Sequence, residues 1–186
     1  MSLKEKFDLI YPSSIKHNQV DVSHLGKWYL SSSQSKNDVK NLLDNCPDTY
    51  WQTDGDLPHV VEIQFSKLVA VKCVALFKFA TVDESYTPSL IKVEAGFGKN
   101  RLHRVNSFQI PYTDGWVYMR LYESVGVKFS PVKCMFLRLS IISNNQNGKD
   151  SHVRALKILT ADDKNISIPD AVGGMLINPS SGIMRL

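Results

Sequence analysis

The sequence predicts an all-β protein, an antiparallel β-sandwich, because three features of the chain agree. Apolar and polar residues alternate with a period of two from Val60 onward, which is typical of strands with one buried and one wetter face. Turn-forming residues separate these alternating runs. Helical periodicity is nearly absent, and this argues against a parallel α/β sheet, in which helices alternate with strands.

Four runs carry the strongest strand signal. Between Val69 and Phe79 every odd position is apolar while Lys72 and Lys78 fall on the other face, so we predict one long strand there. The odd-position rule also holds for three further groups: Ile91, Val93 and Ala95; Val117, Met119 and Leu121; Met135, Leu137, Leu139 and Ile141. Weaker candidates are Val60 to Phe65, Val105 to Ile110 and Val153 to Leu159. Seven or more short strands indicate a sandwich.

Glycine-containing turns are expected at four places: Asp54-Gly55, Gly96-Phe97-Gly98, Asp114-Gly115 and Asn147-Gly148. Each can supply the positive φ that tight connections need. One short helical segment is predicted near the N-terminal side, from Asn37 to Asp44, with Ser35 or Asn37 as its N-cap. The domain is expected to span residues 21–160, between an N-terminal tail, 1–20, and an extended C-terminal tail, 161–186.

Composition excludes several classes of function. The 186 residues, 43% of them hydrophobic, are enough for one domain. With 22 basic and 18 acidic residues the charge is too evenly mixed to require a nucleic-acid partner. Cys73 and Cys134 lie in apolar runs and are expected in the core. No secretory h-region or apolar run of about 18 residues is present, so we expect no membrane partner and a location in the nucleus and cytoplasm.

Motifs for catalysis, cofactors or metals are not supported. Gly96-Phe97-Gly98-Lys99 lacks the spacing of a phosphate loop. Asp83 and Glu84, as neighbours on a strand, would point to opposite faces. His59, His103 and His152 lack metal-ligand spacing, and no serine lies in a nucleophile elbow. We therefore predict a protein without enzymatic activity, cofactor or metal.

A basic group lies between two predicted strands and comprises Lys99, Arg101, His103 and Arg104. Nucleic-acid binding sites of this kind interleave basic residues with aromatic residues on which bases stack. No such aromatics are interleaved here, so the group is expected to form a solvated strand edge.

Three polar segments gather where predicted strands end: Thr49 to Gly55, Asp83 to Ser89, and Asn144 to His152. The third is rich in side-chain amides, which offer donors and acceptors that suit an extended peptide. Composition alone leaves open the alternative of plain solvated loops held by Asx turns. Trp51 is expected to plug the end of the core.

These segments resemble the three signatures of the DOC domain. The first consists of Leu30 to Ser33 followed by Thr49 to Gly55 and Pro58-His59, the second is Asp83 to Ser89, and the third is Asn145 to Arg154. They occur in the expected order and spacing. The chain, over residues 20 to 160, is therefore similar to the DOC-domain subunits of the anaphase-promoting complex.

The resemblance implies a jelly-roll sandwich similar to galactose-binding domains. It also implies a role in mitosis within a ubiquitin ligase whose chemistry belongs to its cullin and RING subunits. A member of this family is a co-receptor that holds the destruction box of a substrate together with a WD40 coactivator. The implied ligand surface comprises Ser85, Tyr86, Ser89, Asn145, Gln146, Asn147, Gly148, Lys149, Asp150 and His152.

The C-terminal tail carries a further implication of the resemblance, docking onto a TPR-repeat subunit through Ile183, Met184, Arg185 and Leu186. The family's subunit commonly ends in Ile-Arg, whereas here one residue follows Arg185.

The main alternative function is a carbohydrate-binding module, because the same sandwich also carries sugar ligands. The missing secretory features weigh against that alternative, and an enzyme is the third hypothesis.

Overall fold

The computed structural model describes residues 2–8, 19–125, 128–161 and 175–177. The strands are β1 Gln19–Asp21, β2 Gly26–Leu30, β3 Trp51–Gln52, β4 His59–Lys78, β5 Pro88–Gly96, β6 Leu102–Gln109, β7 Gly115–Arg120, β8 Glu123–Val125, β9 Lys128–Ser130, β10 Val132–Asn144, β11 His152–Val153, β12 Ala155–Ala161 and β13 Met175–Ile177. The α-helices are α1 Leu3–Asp8, α2 Val39–Leu43 and α3 Ala80–Asp83. Short 3-10 turns cover Ser23–Leu25, Glu84–Tyr86 and Asn145–Asn147.

Strand β4 is shared between the two layers of the fold. Its first half lies between β2 and β10, and β5 and β6 extend this layer to give the order β2-β4-β10-β5-β6. Its second half lies between β12 and β7, and β1 and β13 complete the order β1-β12-β4-β7-β13. Only β7 and β13 pair in parallel in the described chain. The predicted antiparallel sandwich is confirmed.

The main core lies between these layers. From the first half of β4 it takes odd-numbered residues such as Ile63 and Phe65, and from the second half the even-numbered Val74 and Leu76. The phase changes at a bulge, because Val71 and Cys73 pair with consecutive residues of β12 and leave Lys72 between them.

A second cluster covers the outer face of the second half of β4, which carries the odd-numbered Cys73, Ala75 and Phe77 that the sequence predicts to be apolar. The even-numbered Val74 and Leu76 lie in the main core, so the prediction that the other face is wetter is wrong. Phe77 packs in this cluster against Trp116, and Phe7 of α1 covers both rings. The ring centroids of Phe7 and Phe77 are 4.9 Å apart, and Trp116 Nε1 donates to the Phe7 carbonyl oxygen at 3.0 Å. A helix within the predicted N-terminal tail therefore buries this face.

Three local predictions are corrected by backbone geometry. The N-cap of α2 is Asp38, whose carboxylate accepts a hydrogen bond from Lys40 N at 2.8 Å. A bulge after Cys134 puts that residue in the core in place of the predicted Met135. Asp83 and Glu84 lie on α3 and the following 3-10 turn, not on a strand.

The two core cysteines are confirmed as buried, and burial raises the pKa of each thiol to about 12. They therefore pack as neutral apolar side chains.

Among the described helices none is long and apolar enough to span a bilayer.

Candidate ligand-binding site

The three polar segments converge at one end of the sandwich. Strand β11, from the third segment, pairs with β3, from the first, in the register His152↔Gln52 and Val153↔Trp51. The third segment joins the second through Asn145 N, which donates to the Thr87 carbonyl oxygen at 2.9 Å. Backbone pairing therefore unites loops that are nearly 100 residues apart in the sequence.

Trp51 and Thr53 anchor the first segment. Trp51 is fully buried, and its Nε1 donates to the Ser32 carbonyl oxygen at 2.9 Å, which confirms the predicted plug. Thr53 is also buried, and its Oγ1 accepts a hydrogen bond from Ser151 N at 2.8 Å. Thr53 N in turn donates to the Ser151 carbonyl oxygen at 3.1 Å. The first and third segments are thus tied by reciprocal hydrogen bonds.

Asn144 organises the third segment from within. Its buried Nδ2 lies within hydrogen-bond distance of three backbone oxygens: those of Gly148 at 3.1 Å, Lys149 at 3.2 Å and Asp150 at 2.9 Å. Its Oδ1 accepts from Ser151 Oγ at 2.8 Å. His59 Nε2 also contacts the Lys149 carbonyl oxygen, at 2.7 Å. These side chains hold the loop backbone in one conformation.

Gly148 allows the second and third segments to touch. A Cβ atom at this position would lie 1.9 Å from the Ser85 carbonyl oxygen, which is far inside any real contact distance. The sequence suggested that Gly148 supplies a positive φ, but its φ is −60°. The positive values belong to Gln146 at 52° and Asn147 at 57°. Glycine is needed for close approach, not for left-handed backbone.

An aromatic stack crosses the site, with the His152 imidazole between Tyr50 and Tyr86. The ring centroids are 4.1 Å apart on the Tyr50 side and 4.2 Å apart on the Tyr86 side, with interplanar angles of 26° and 13°. His152 Nδ1 lies 3.2 Å from Asp83 Oδ1. Its Nε2 is buried and has no hydrogen-bond partner among the described residues. The stack therefore sets the position of the Tyr86 ring, which is 39% exposed.

A buried ion pair supports the aromatic stack from below. Arg154 donates from Nε to Asp83 Oδ2 at 2.7 Å and from a terminal guanidinium nitrogen to Oδ1 at 2.6 Å. Another terminal nitrogen donates to the Pro47 carbonyl oxygen at 2.8 Å, and the guanidinium carbon lies 5.3 Å from the Tyr50 ring centroid. Burial alone would raise the pKa of Asp83, but the hydrogen bonds from His152 and Arg154 outweigh it and hold the pKa below its usual value.

The sequence-predicted ligand residues divide into two groups. Tyr86, Gln146, Asn147 and Lys149 are exposed and free to meet a ligand. The others are partly buried: Ser85, Ser89, Asn145, Gly148, Asp150 and His152. Several of these use their polar groups in hydrogen bonds within the fold. Asn145 Nδ2 donates to the Thr87 carbonyl oxygen at 3.2 Å, and Ser89 Oγ contacts Ser143 Oγ at 2.8 Å.

Sequence reasoning missed three positioning residues, Tyr50, Asp83 and Arg154. All three lie within the polar segments and signatures, which is the signal that marks them as candidates. Their mutual contacts were not visible, because Asp83 and Arg154 are 71 positions apart. The predicted docking residues, Ile183 to Leu186, lie outside the described residues.

The exposed groups suit recognition of a polar, extended ligand. Side-chain amides donate and accept hydrogen bonds, the Tyr86 ring offers an aromatic face, and Lys149 supplies a positive charge. Within the described part of the chain, no group of three or more His, Cys, Asp or Glu residues is arranged to hold a metal ion.

Comparison with known proteins identifies the family. The family model described as anaphase-promoting complex, subunit 10 (APC10), matches residues 9–181. Anaphase-promoting complex subunit 10 of Schizosaccharomyces pombe is 38% identical over 75% of this chain and 72% of that protein. The human subunit 10 is 35% identical over 72% of this chain and 70% of that protein. Subunit DOC1 of Saccharomyces cerevisiae is 37% identical over 75% of this chain, but the match spans only 55% of DOC1.

Solved structures match the fold at much lower identity. The family 32 carbohydrate-binding module of Clostridium perfringens NanJ, solved with galactose, has a TM-score of 0.60 and 12% identity and covers 76% of this chain and 98% of that chain. A module from a family 31 glycoside hydrolase of the same organism has a TM-score of 0.63 and 15% identity, and the match covers 82% of this chain and 100% of that chain. These matches confirm the galactose-binding-type jelly roll, and the sequence matches show that the chain belongs to the anaphase-promoting complex subunit 10 family.

Proposed function

We propose that this chain is a non-catalytic subunit of the anaphase-promoting complex that recognises the destruction box of substrates together with a WD40 coactivator. Membership of the subunit 10 family supports the place in the complex. The observation that supports the recognition role is the end of the sandwich where hydrogen bonds join the three polar segments, with Tyr86, Gln146, Asn147 and Lys149 exposed on it.

The proposed mechanism is bivalent capture, in which this surface and the coactivator each hold part of one short degron. Each surface alone binds weakly, because a flexible degron loses conformational entropy when it is ordered. Binding of the first half raises the effective concentration of the second, and such linkage can multiply avidity by about 10² or more. The hydrogen bonds of Asn144 and Thr53 hold the loops in place before binding, which reduces the entropy lost by the receptor.

The test is a double variant, Asn147→Gly with Lys149→Ala, assembled into the complete complex with its coactivator. Glycine tolerates the positive φ of Asn147, so the side chains are removed without backbone strain. Retention of a fluorescent destruction-box peptide should weaken by about tenfold, the scale of losing one or two interface side chains. Fluorescence polarisation gives the affinity, and size-exclusion chromatography reports assembly.

The matched control is Asn100→Gly with Lys27→Ala, which removes the same exposed residue types away from the three segments. This control should bind the peptide with unchanged affinity. Equal binding by the double variant and the wild type would exclude this surface as the receptor. Loss of assembly in the double variant would instead assign these side chains a structural role.

The carbohydrate-binding alternative rests on the fold alone, and fold does not determine ligand. Of the chain's fold relatives, the NanJ module was solved with galactose. A specific hit on a glycan array that disappears in the Asn147→Gly and Lys149→Ala variant would favour this alternative over degron binding.

A further inference from the structure

A groove separates strand β6 from the β8–β9 hairpin on the side of the first layer. It has a volume of about 540 Å³ and is lined by residues of β6 and of the hairpin, among them Arg104, Val105, Tyr122, Glu123 and Phe129. Volumes of 300–1,000 Å³ are usual for ligand sites. None of the lining residues belongs to the three polar segments, so the groove is a separate feature of the molecule.

The wall formed by β6 is the edge of a sheet. In the described chain β6 pairs with β5 along one side only, and β8 pairs only with β9. The side chains that bridge the groove are His103 and Glu123, with His103 Nε2 at 3.4 Å from Glu123 Oε1. An edge strand presents backbone N–H and C=O groups to which an extended peptide can add as a further strand.

The opposite wall is aromatic and open to solvent. Phe129 is 68% exposed although it is a large apolar side chain, and Tyr122 packs edge-on against it with ring centroids 5.1 Å apart. Val105, on β6, packs against the main core and gives the groove an apolar floor. An exposed aromatic beside an apolar floor is an anchor site for an apolar ligand side chain.

The charge around the groove selects the class of ligand. Arg101 and Arg104 are exposed, and neither forms an ion pair with a carboxylate among the described residues. Lys99 is also basic, but its amine is already 3.2 Å from Glu62. Glu123 is the acidic lining residue, and His103 faces it. Arg104 lines the groove and donates a hydrogen bond to Ser107 Oγ at 3.0 Å, and Arg101 immediately precedes β6. These two guanidinium groups along β6 favour a negatively charged partner.

We propose that this groove binds an extended acidic peptide segment of a partner protein, which adds as a strand to β6. Its carboxylates pair with Arg101 and Arg104, and one apolar side chain packs on Phe129. The proposal does not depend on the destruction-box role, because it uses a different surface and a different ligand chemistry.

The first test is an NMR titration of the isotope-labelled 186-residue chain with two octapeptides, one alternating Glu and Val and one alternating Lys and Val. The Glu-Val peptide should shift the amide resonances of residues 103–107 and slow their hydrogen exchange, because strand addition pairs the free edge. The Lys-Val peptide should bind at least about tenfold more weakly, because it places like charges against the rim.

Two exposed substitutions test the lining residues separately. Arg104→Glu should abolish the preference for the Glu-Val peptide, and Phe129→Ser should weaken binding by about tenfold, as expected for an aromatic anchor. The matched control, Lys27→Glu, lies on β2, the opposite edge of the same layer, and should change neither. Circular dichroism and thermal melting verify that each variant is folded.

Three results would overturn the proposal. The first is no binding of either peptide at millimolar concentration. The second is binding whose strength is the same in Arg104→Glu, Phe129→Ser and Lys27→Glu. The third is a set of chemical-shift changes centred on residues 144–152 instead of β6.

Discussion

At the residue scale, the pair of Asp83 and Arg154 is a strong determinant of the candidate site. Both side chains are buried, and removing one partner leaves the other charge without compensation. We expect Asp83→Asn to lower the free energy of unfolding by about 3–5 kcal/mol, the usual cost of breaking a buried pair. Urea denaturation measures this cost. The neighbouring exposed Glu84→Gln is the control and should have little effect.

The pair of Asp83 and Arg154 also predicts how the free energy of unfolding changes in acid. Because the folded-state pKa of Asp83 lies below its unfolded value of about 3.9, its contribution to stability is fully present above that unfolded value. The contribution is lost as the pH falls through the lower, folded pKa. The difference in unfolding free energy between wild type and Asp83→Asn should therefore shrink only in strongly acidic solution. A constant difference down to pH 2 would contradict this account.

Lys78 predicts a change of the same sign, a rise in stability with pH, in the alkaline range. It is fully buried, and its amine donates to the Thr113 carbonyl oxygen. Burial lowers its pKa to about 8, against the smaller opposing effect of Asp114. Between pH 8 and the unfolded value of about 10.4 the unfolded chain binds more protons than the folded chain, so stability rises with pH. Lys78→Met should lack this rise when both proteins are unfolded by urea at several pH values.

At the element scale, the contact between the 3-10 turns Glu84–Tyr86 and Asn145–Asn147 depends on the absence of a side chain at Gly148. Gly148→Ala places a Cβ atom 1.9 Å from the Ser85 carbonyl oxygen, so one backbone must move. We expect a loss of about 1–3 kcal/mol, typical of overpacking, and weaker degron binding from displaced loops. Thermal melting and the peptide assay measure these effects.

Gly98→Ala is the matched control for that substitution. A Cβ atom at Gly98 would meet no heavy atom within 4 Å. This variant should therefore keep the melting temperature and the peptide affinity of the wild type. A similar loss in both variants would mean that the effect of Gly148→Ala comes from general glycine replacement and not from the Ser85 contact.

Helix α1 contacts the second layer through the Phe7 ring, through the Phe7 carbonyl oxygen, which accepts a hydrogen bond from Trp116 Nε1, and through the ion pair of Lys6 with Asp114 at 2.8 Å. Phe7 is 7% exposed and packs on Phe77 and Trp116. Phe7→Ala should destabilise the fold by about 3 kcal/mol, at the lower end for a buried aromatic residue. Lys4→Ala, an exposed position on the same helix, is the control. An unchanged melting temperature in Phe7→Ala would show that α1 does not stabilise the sandwich in solution.

At the scale of the whole molecule, the long strand β4 connects both layers, and the polar loops lie at one end of the sandwich that these layers form. The loops are fixed to the end of the sandwich by hydrogen bonds that do not involve residues 183–186. Deleting Ile183 to Leu186 should therefore leave the melting temperature unchanged. It should reduce the recovery of a TPR-repeat subunit in affinity purification of the tagged chain from dividing cells. Full recovery without these residues would exclude tail docking.

The sequence by itself determined the fold class and the family, and it marked the segments that form the candidate site. Alternation of apolar and polar residues is a local property, and it identified β5, β10 and the first half of β4 before any contact was known. The signature segments Thr49 to Gly55, Asp83 to Ser89 and Asn144 to His152 were likewise readable, because each is continuous in the chain. They gave the family and the loops that meet at one end of the sandwich.

Only the tertiary structure decided which faces are buried and which polar groups remain free. The bulge at Lys72 reverses the phase of β4, so that Val74 and Leu76, on the face that alternation alone assigns to solvent, lie in the main core, while α1 covers the odd-numbered face. The pairing of Asp83 with Arg154, and the approach of Gly148 to Ser85, join residues more than 60 positions apart. Local patterns carry no information on such contacts, since they depend on strand register and on the path of the backbone between them.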